Sequence, residues 1–328
     1  MSAGIGLYAI SIEEHDIPTP ARDFFPDLLK RAQNPDGGWG YRPELPSTTE
    51  PTAWAVLALQ GLEEPSSKTL ASAADWLRRA QMKEGAWPTA SGKDPGCWVS
   101  ALACLALIGR KGPPPDAVVR GANWLCETWP AEGNLLWRLR LRRQNQDSVV
   151  HQDHSLQGWG WTPNTASWVE PTAYVLILLQ NIPAEHRPAQ AGKRIQLGEK
   201  MLYDRACPGG GWNAGNPLVY GVPGVPRISP TVWALLALRN HKDRAANQEG
   251  VEWLHQQYQD LRSPASLALA HLCLNVYGRA PETPQTQLEG LYSNNGFLQS
   301  IPAIAWASLA LNGLPCWLGC ASQAKDAK

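Results

Sequence analysis

The sequence predicts an all-α protein, an (α/α)6 toroid of about six helical hairpins with an inner and an outer ring of helices. Three observations predict it. The stretches Leu28-Leu29-Lys30-Arg31-Ala32-Gln33 and Trp76-Leu77-Arg78-Arg79-Ala80-Gln81 run into the same turn, Gln33 to Gly37 to Trp39 and Gln81 to Gly85 to Trp87. Pro51-Thr52-Ala53-Trp54, Pro171-Thr172-Ala173-Tyr174 and Pro230-Thr231-Val232-Trp233 each open an apolar run. The two kinds of segment also differ in pattern. Ser67 to Gln81 is amphipathic, with Arg78 and Arg79 on its polar face, whereas Pro51 to Leu59 is apolar nearly all round. A helix apolar on every side is buried on every side, so the first kind forms the outer ring and the second the inner ring. An open stack of such units needs capping repeats, and closing the ring removes that need.

In chain order, residues 1–20 read as an N-terminal arm, 21–314 as the toroid and 315–328 as a tail. Met1 to Asp16 lacks a basic patch and carries Glu13 and Glu14, which does not read as a secretory signal. The first two hairpins carry the full Gln/Gly/Trp turn. Ser100-Ala101-Leu102 opens a weaker inner helix, and Trp124-Leu125 an outer helix with no turn after it. An insertion of about forty residues follows, at about 130–169, and long structured insertions in compact domains are often functional. It holds Arg138, Arg140, Arg142 and Arg143, then His151, His154 and Trp159-Gly160-Trp161. Met201-Leu202 leads to Gly210 and Trp212 with the same spacing, Ala206 standing in place of Gln. Gly209 to Ile228 is a second long connection, rich in Gly and Pro. Trp253-Leu254, Leu267 to Leu274 and Ala303-Ile304-Ala305-Trp306 complete the set. Pro at the first helical position costs no hydrogen bond there, which makes Glu50 and Glu170 the N-cap residues. In the tail, Leu318-Gly319-Cys320 mimics a lipoprotein cleavage site at the wrong end of the chain.

The 328 residues carry 29 basic and 29 acidic side chains, and this neutral balance argues against nucleic acid as a partner. Trp, at 16 against 3 Phe, is used so heavily that it must serve either repeat junctions or the lining of an apolar or cationic ligand. The 7 Cys lack zinc-type pairing, Cys316 and Cys320 being the nearest pair. An odd count with no framework points to a reducing compartment, hence the cytoplasm. No apolar run reaches membrane-spanning length, and peripheral membrane contact stays open.

These turns and helices resemble squalene–hopene cyclases and their prenyltransferase relatives, from about Phe24 to Leu314. The resemblance implies an (α/α) barrel with an apolar central cavity, in which Gln33, Trp39, Gln81 and Trp87 tie one hairpin to the next. Class II cyclases of the family protonate an alkene or epoxide with the central Asp of Asp-x-Asp-Asp-Thr-Ala. No Asp-x-Asp-Asp occurs in this chain. In register with Thr-Ala stand Glu50-Pro51 and Glu170-Pro171, each Glu where the central Asp would be. The zinc site of the prenyltransferases finds no matching motif around Asp204 and Cys207, and the thioester barrels need a Gly-Cys-Gly-Glu-Gln run where the chain has Gly96-Cys97-Trp98. Neither a metal nor a cofactor is implied.

Glu170 and then Glu50 are therefore the candidate acids, with a helix-start role as the alternative. A helix N-terminus lowers a carboxyl pKa, and only desolvation raises it again. Trp54, Trp161, Trp168, Tyr174 and Trp233 are the candidate lining of a substrate site, stabilising a carbocation by cation–π attraction, or else packing at hairpin junctions. Arg138 and Arg140 could hold a diphosphate or form a solvated face. His151 and His154 read as a surface loop rather than a metal site. The expected function is acid-initiated cyclisation or isomerisation of an isoprenoid. The alternative is an isoprenoid-binding or protein-interaction scaffold, with a second chain or a second copy as partner. Glycan-acting barrels also use Trp and paired carboxylates, but lack the Gln/Gly/Trp turns.

Overall fold

The computed structural model describes residues 21–313 except 63–66, 91–94, 109–112, 135, 138, 140–151 and 283. The arm 1–20, the tail 315–328, Arg138, Arg140, Arg142, Arg143 and His151 lie outside the described residues.

Among the described residues there are twelve α-helices, alternating outer and inner: α1 Ala21–Arg31, α2 Thr49–Leu59, α3 Lys68–Ala80, α4 Val99–Leu107, α5 Asp116–Glu127, α6 Val169–Asn181, α7 Ala191–Asp204, α8 Ile228–Ala237, α9 Ala245–Tyr258, α10 Pro264–Val276, α11 Gln285–Asn295 and α12 Ile301–Leu311. The even-numbered helices are the apolar ones. Every residue of α4 is buried, and in α2 all but Glu50 are. Each packs on the next, α2 on α4, α4 on α6, α6 on α8, α8 on α10 and α10 on α12, and α12 returns to α2. The ring is closed, and the odd-numbered helices lie around it with one apolar face inward. A short antiparallel pair, β1 Leu218–Val219 and β2 Val222–Pro223, decorates the connection before α8.

Four Trp residues clamp the ring with one repeated geometry. The indole Nε1 of Trp39, Trp87 and Trp212 donates to the carbonyl of Leu29, Leu77 and Leu202, ten residues earlier in the outer helix, at 2.6–2.7 Å. The backbone N–H of each donates to a hydroxyl on the inner helix that follows, Thr52, Ser100 or Thr231, at 2.8–2.9 Å. Trp159 does the same with Leu125 and Thr172. The outer helix at Trp124-Leu125 therefore does have its turn, with the Trp 34 residues after the Leu where the other hairpins have ten.

Gln33 and Gln81 finish the clamp. Each Nε2 donates to the turn glycine's carbonyl and to a carbonyl of the next outer helix, Thr69 or Ala117. The glycine is needed for two reasons. Gly85 has φ +99°, and a Cβ there would stand 2.6 Å from the carbonyl oxygen of Arg120. Gly37 meets Ser72 in the same way. Gly85→Ala is expected to destabilise the protein by more than about 1 kcal/mol, readable as a lowered urea midpoint.

At the third junction Arg194, from α7, takes the Gln's place. Its Nη2 donates to the carbonyls of Thr128 and Gly158, and its guanidinium lies 4.1 Å from the ring centres of both Trp129 and Trp159. Burial lowers its pKa to about 10, which leaves it charged at neutral pH.

One expectation about helix starts is corrected. The N-caps are Thr48 and Trp168, so Glu50 and Glu170 occupy the second helical position and Pro51 and Pro171 the third. Proline is still free of cost there, because the first intrahelical bond runs from Thr52 N to Thr48 O and the N–H groups before it have no intrahelical partner. At four inner helices the N–H at the helix start is used elsewhere. Thr49 N donates to Thr89 O, Trp98 N to Trp161 O, Val169 N to Ala214 O and Ile301 N to Tyr41 O. Every acceptor lies two residues after a clamping Trp, so these four hairpins tie their inner helices to a neighbouring turn. The Ile301–Tyr41 bond closes this relay between the last hairpin and the first.

Candidate functional site

The relay gathers the starts of the inner helices at one rim, and the polar candidates meet there. Glu50 and Glu170, on α2 and α6, are both partly exposed. The Tyr41 hydroxyl donates to Glu50 Oε2, and the Ser229 hydroxyl donates to Glu170 Oε1 at 2.5 Å. Ser229 is the second residue of α8, so Glu50, Glu170 and Ser229 hold one and the same helical position on three inner helices.

Burial pushes the Glu50 carboxyl above the usual glutamate range, and the charge of Glu170 adds to the effect; the Tyr41 hydroxyl and the Trp54 indole pull it partly back. Burial likewise raises Glu170, against the Ser229 hydroxyl. Two carboxyls that feel each other and are both desolvated share protons as a pair. Burial holds both toward the protonated form, and the proton of the pair belongs to neither alone. Tyr41 and Tyr174 are pushed up as well, burial being the largest cause, and stay neutral.

Next to the acids, aromatic rings occupy the middle of the ring. Four inner helices place an aromatic side chain at their sixth residue: Trp54, Tyr174, Trp233 and Trp306. Ring centres are 5.2 Å apart for Trp54–Trp233, 5.6 Å for Trp54–Trp306 and 4.9 Å for Tyr174–Trp233. Trp98, the N-cap of α4, stacks on Tyr174 at 5.4 Å and meets Trp161 edge-on at 5.1 Å. Trp54 and Trp233 are each 1% exposed, whereas Trp98, Trp161 and Trp306 are partly open. Where the resemblance led one to expect an apolar cavity, the centre is occupied by these side chains.

Of the candidates from sequence, Glu50, Glu170, Trp54, Tyr174, Trp161 and Trp233 come together here. Trp168 does not join the ring cluster. It caps α6 and pairs its backbone with Trp159. His154 lies edge-on to Trp137. Cys207 is a buried free thiol, and among the described residues no group of His, Cys, Asp and Glu could hold a metal. Tyr41, Trp98, Ser229 and Trp306 were not foreseen at the site. Their signal was positional: two residues after a clamping Trp, or at an equivalent place on a sister helix.

Residues 2–98 match the family model of the squalene-hopene cyclase C-terminal domain, a stretch that holds both Gln/Gly/Trp turns and Glu50. The likeness over the whole chain is one of structure. A protein from Actinoplanes is similar with a TM-score of 0.56 at 16% identity, over 89% of this chain and 97% of that one. The type II terpene cyclase MstE from Scytonema, in its apo form, is similar with a TM-score of 0.55 at 12% identity, over 89% and 96%. The chain has the terpenoid-cyclase toroid fold. A variant of MstE in complex with its substrate, geranylgeranyl dihydroxybenzoate, is similar to the toroid with a TM-score of 0.52 at 14% identity, over 88% of this chain and 77% of that one. No curated relative matches the toroid's sequence. No helix among its described residues is long and apolar enough to cross a membrane.

Proposed function

We propose that the toroid binds an isoprenoid against the aromatic rings and starts its cyclisation or isomerisation by protonating a carbon–carbon double bond. Glu50 is the donor in this reading, and Glu170 the ionised neighbour that favours the resulting carbocation. The observation that carries it is the pair of carboxyls, both raised by burial, beside six aromatic rings. A general acid needs a proton at working pH, and the faces of indole and phenol rings attract a cation. The double bond takes the Glu50 proton, leaving a tertiary cation and a carboxylate. Loss of a proton from carbon at the end of the sequence regenerates the acid, so the product is an isomer of the substrate.

The reading is tested by incubating the protein with farnesyl diphosphate, geranylgeranyl diphosphate, squalene and oxidosqualene and analysing the extracts by mass spectrometry. A product isomeric with its substrate is expected. A second reading, a protein-interaction scaffold on the same fold, is favoured by the burial of Trp54 and Trp233, whose rings already fill the centre. Failure to bind any of the four compounds would select it.

Tyr41 offers a finer test. Its hydroxyl lowers the Glu50 pKa, so Tyr41→Phe removes a donor that favours the ionised form. Activity depends on the protonated form and falls as pH rises through the Glu50 pKa. The falling limb of the pH–rate profile is therefore expected at higher pH in Tyr41→Phe than in the parent.

A further inference from the structure

Two groups of buried indole N–H contrast in the ring. Trp39, Trp87, Trp159 and Trp212, which clamp the hairpins, each donate Nε1 to a helix carbonyl. Trp54, Trp233 and Trp306, which sit at the centre, do not: their Nε1 atoms are sealed from solvent and have no hydrogen-bond partner. The Trp54 N–H lies beside the Glu50 carboxyl without reaching a hydrogen-bonding geometry. A buried indole N–H is a donor only, and leaving it unmade is costly. Trp54 has the Glu50 carboxyl to face; that the other two donors fall in one ring cluster, in a protein that satisfies four others by a repeated rule, points to an acceptor supplied from outside the chain.

The charge around the cluster narrows the acceptor. The charged group set against it in that reading is an acid, Glu170, with Glu50 and Tyr41 protonated beside it. A diphosphate or carboxylate would be repelled there. A hydrocarbon would leave the N–H groups unpaired. A carbonyl oxygen is neutral, accepts through two lone pairs and can serve donors on two sides.

We propose that the toroid's ligand is an isoprenoid bearing a neutral carbonyl, a prenyl ketone or ester, whose oxygen accepts hydrogen bonds from Trp233 and Trp306. The inference rests on the isoprenoid reading above and names the class of molecule within it.

The test measures binding to the full chain by tryptophan fluorescence, with farnesylacetone as the ketone, farnesene as the hydrocarbon and farnesyl diphosphate as the anion. Farnesylacetone is expected to bind about tenfold more tightly than farnesene, the gain of one to two net hydrogen bonds. Trp233→Phe and Trp306→Phe, which keep a ring and lose the N–H, should each weaken farnesylacetone about fivefold more than they weaken farnesene. Nitrogen-15 labelling of the parent protein's indoles gives a reading that survives a misfolded variant, because farnesylacetone should move the Trp233 and Trp306 Nε1–H signals downfield and farnesene should not. Equal affinity for ketone and hydrocarbon, tighter binding of the diphosphate, or unmoved indole signals would overturn the inference and leave isoprenoid binding intact. Failure of all three probes to bind would overturn both.

Discussion

Glu50→Gln is expected to lower isoprenoid turnover by at least about 10²-fold while making the protein more stable, not less, at pH 8. The loss follows from removing the donated proton. The gain follows from linkage. The folded-state pKa of Glu50 lies above its ordinary value of 4.5, so the native state holds the proton more tightly than the unfolded chain does. Stability then falls as pH rises from 4.5 through the raised pKa, and above it the full cost of a buried carboxylate is carried. Glutamine never carries that cost. The stability difference between variant and parent should be largest at pH 8 and shrink below pH 4.5, where both states of the parent are protonated. A helix-start role would give the opposite result, because a carboxylate favoured by the helix dipole stabilises at high pH and its removal costs stability there.

Trp87→Ala is expected to destabilise the fold by about 3–5 kcal/mol and to lower Tm by on the order of 10 °C. The ring is fully buried. Its Nε1 holds the last turn of α3 through Leu77, its backbone holds α4 through Ser100, and its edge lies against Gly121 of α5, where a Cβ would stand 2.8 Å from Cζ3. Three helices lose a shared neighbour, and the cavity left behind cannot collapse without moving one of them. Trp87→Phe should recover most of the loss, since it refills the volume and forfeits chiefly the indole hydrogen bond. Differential scanning calorimetry of both variants measures the contrast.

The architecture was legible because its rules are local. Gln33, Gly37 and Trp39 lie within one turn, so their spacing shows directly in the sequence, and an inner helix such as α4 declares itself by having no polar face. The third junction was hidden because the same contacts are made from far away. Trp159 reaches Leu125 across a 34-residue separation, and Arg194 replaces the Gln by donating backward from the following helix. Glu50 and Glu170 were visible as a repeated Glu-Pro-Thr-Ala, but the direction of their pKa was not. That depends on how far the rim is desolvated and on Tyr41 and Ser229, which the inter-hairpin relay delivers from other repeats. The rings at the centre were only half visible. Trp54, Tyr174 and Trp233 share a motif, while Trp98 and Trp306 sit in helices whose openings read differently and reach the cluster only because the ring closes.

The most direct test of acid-initiated chemistry is the mass of the product formed in heavy water. Protonation of a double bond by Glu50, whose acidic hydrogen exchanges with solvent, places one solvent hydrogen on carbon. A product made in D₂O should therefore be one mass unit heavier than the same product made in H₂O, and Glu50→Gln should form neither. A product of unchanged mass in D₂O would contradict the account, since it would show that the reaction begins without a proton from the protein.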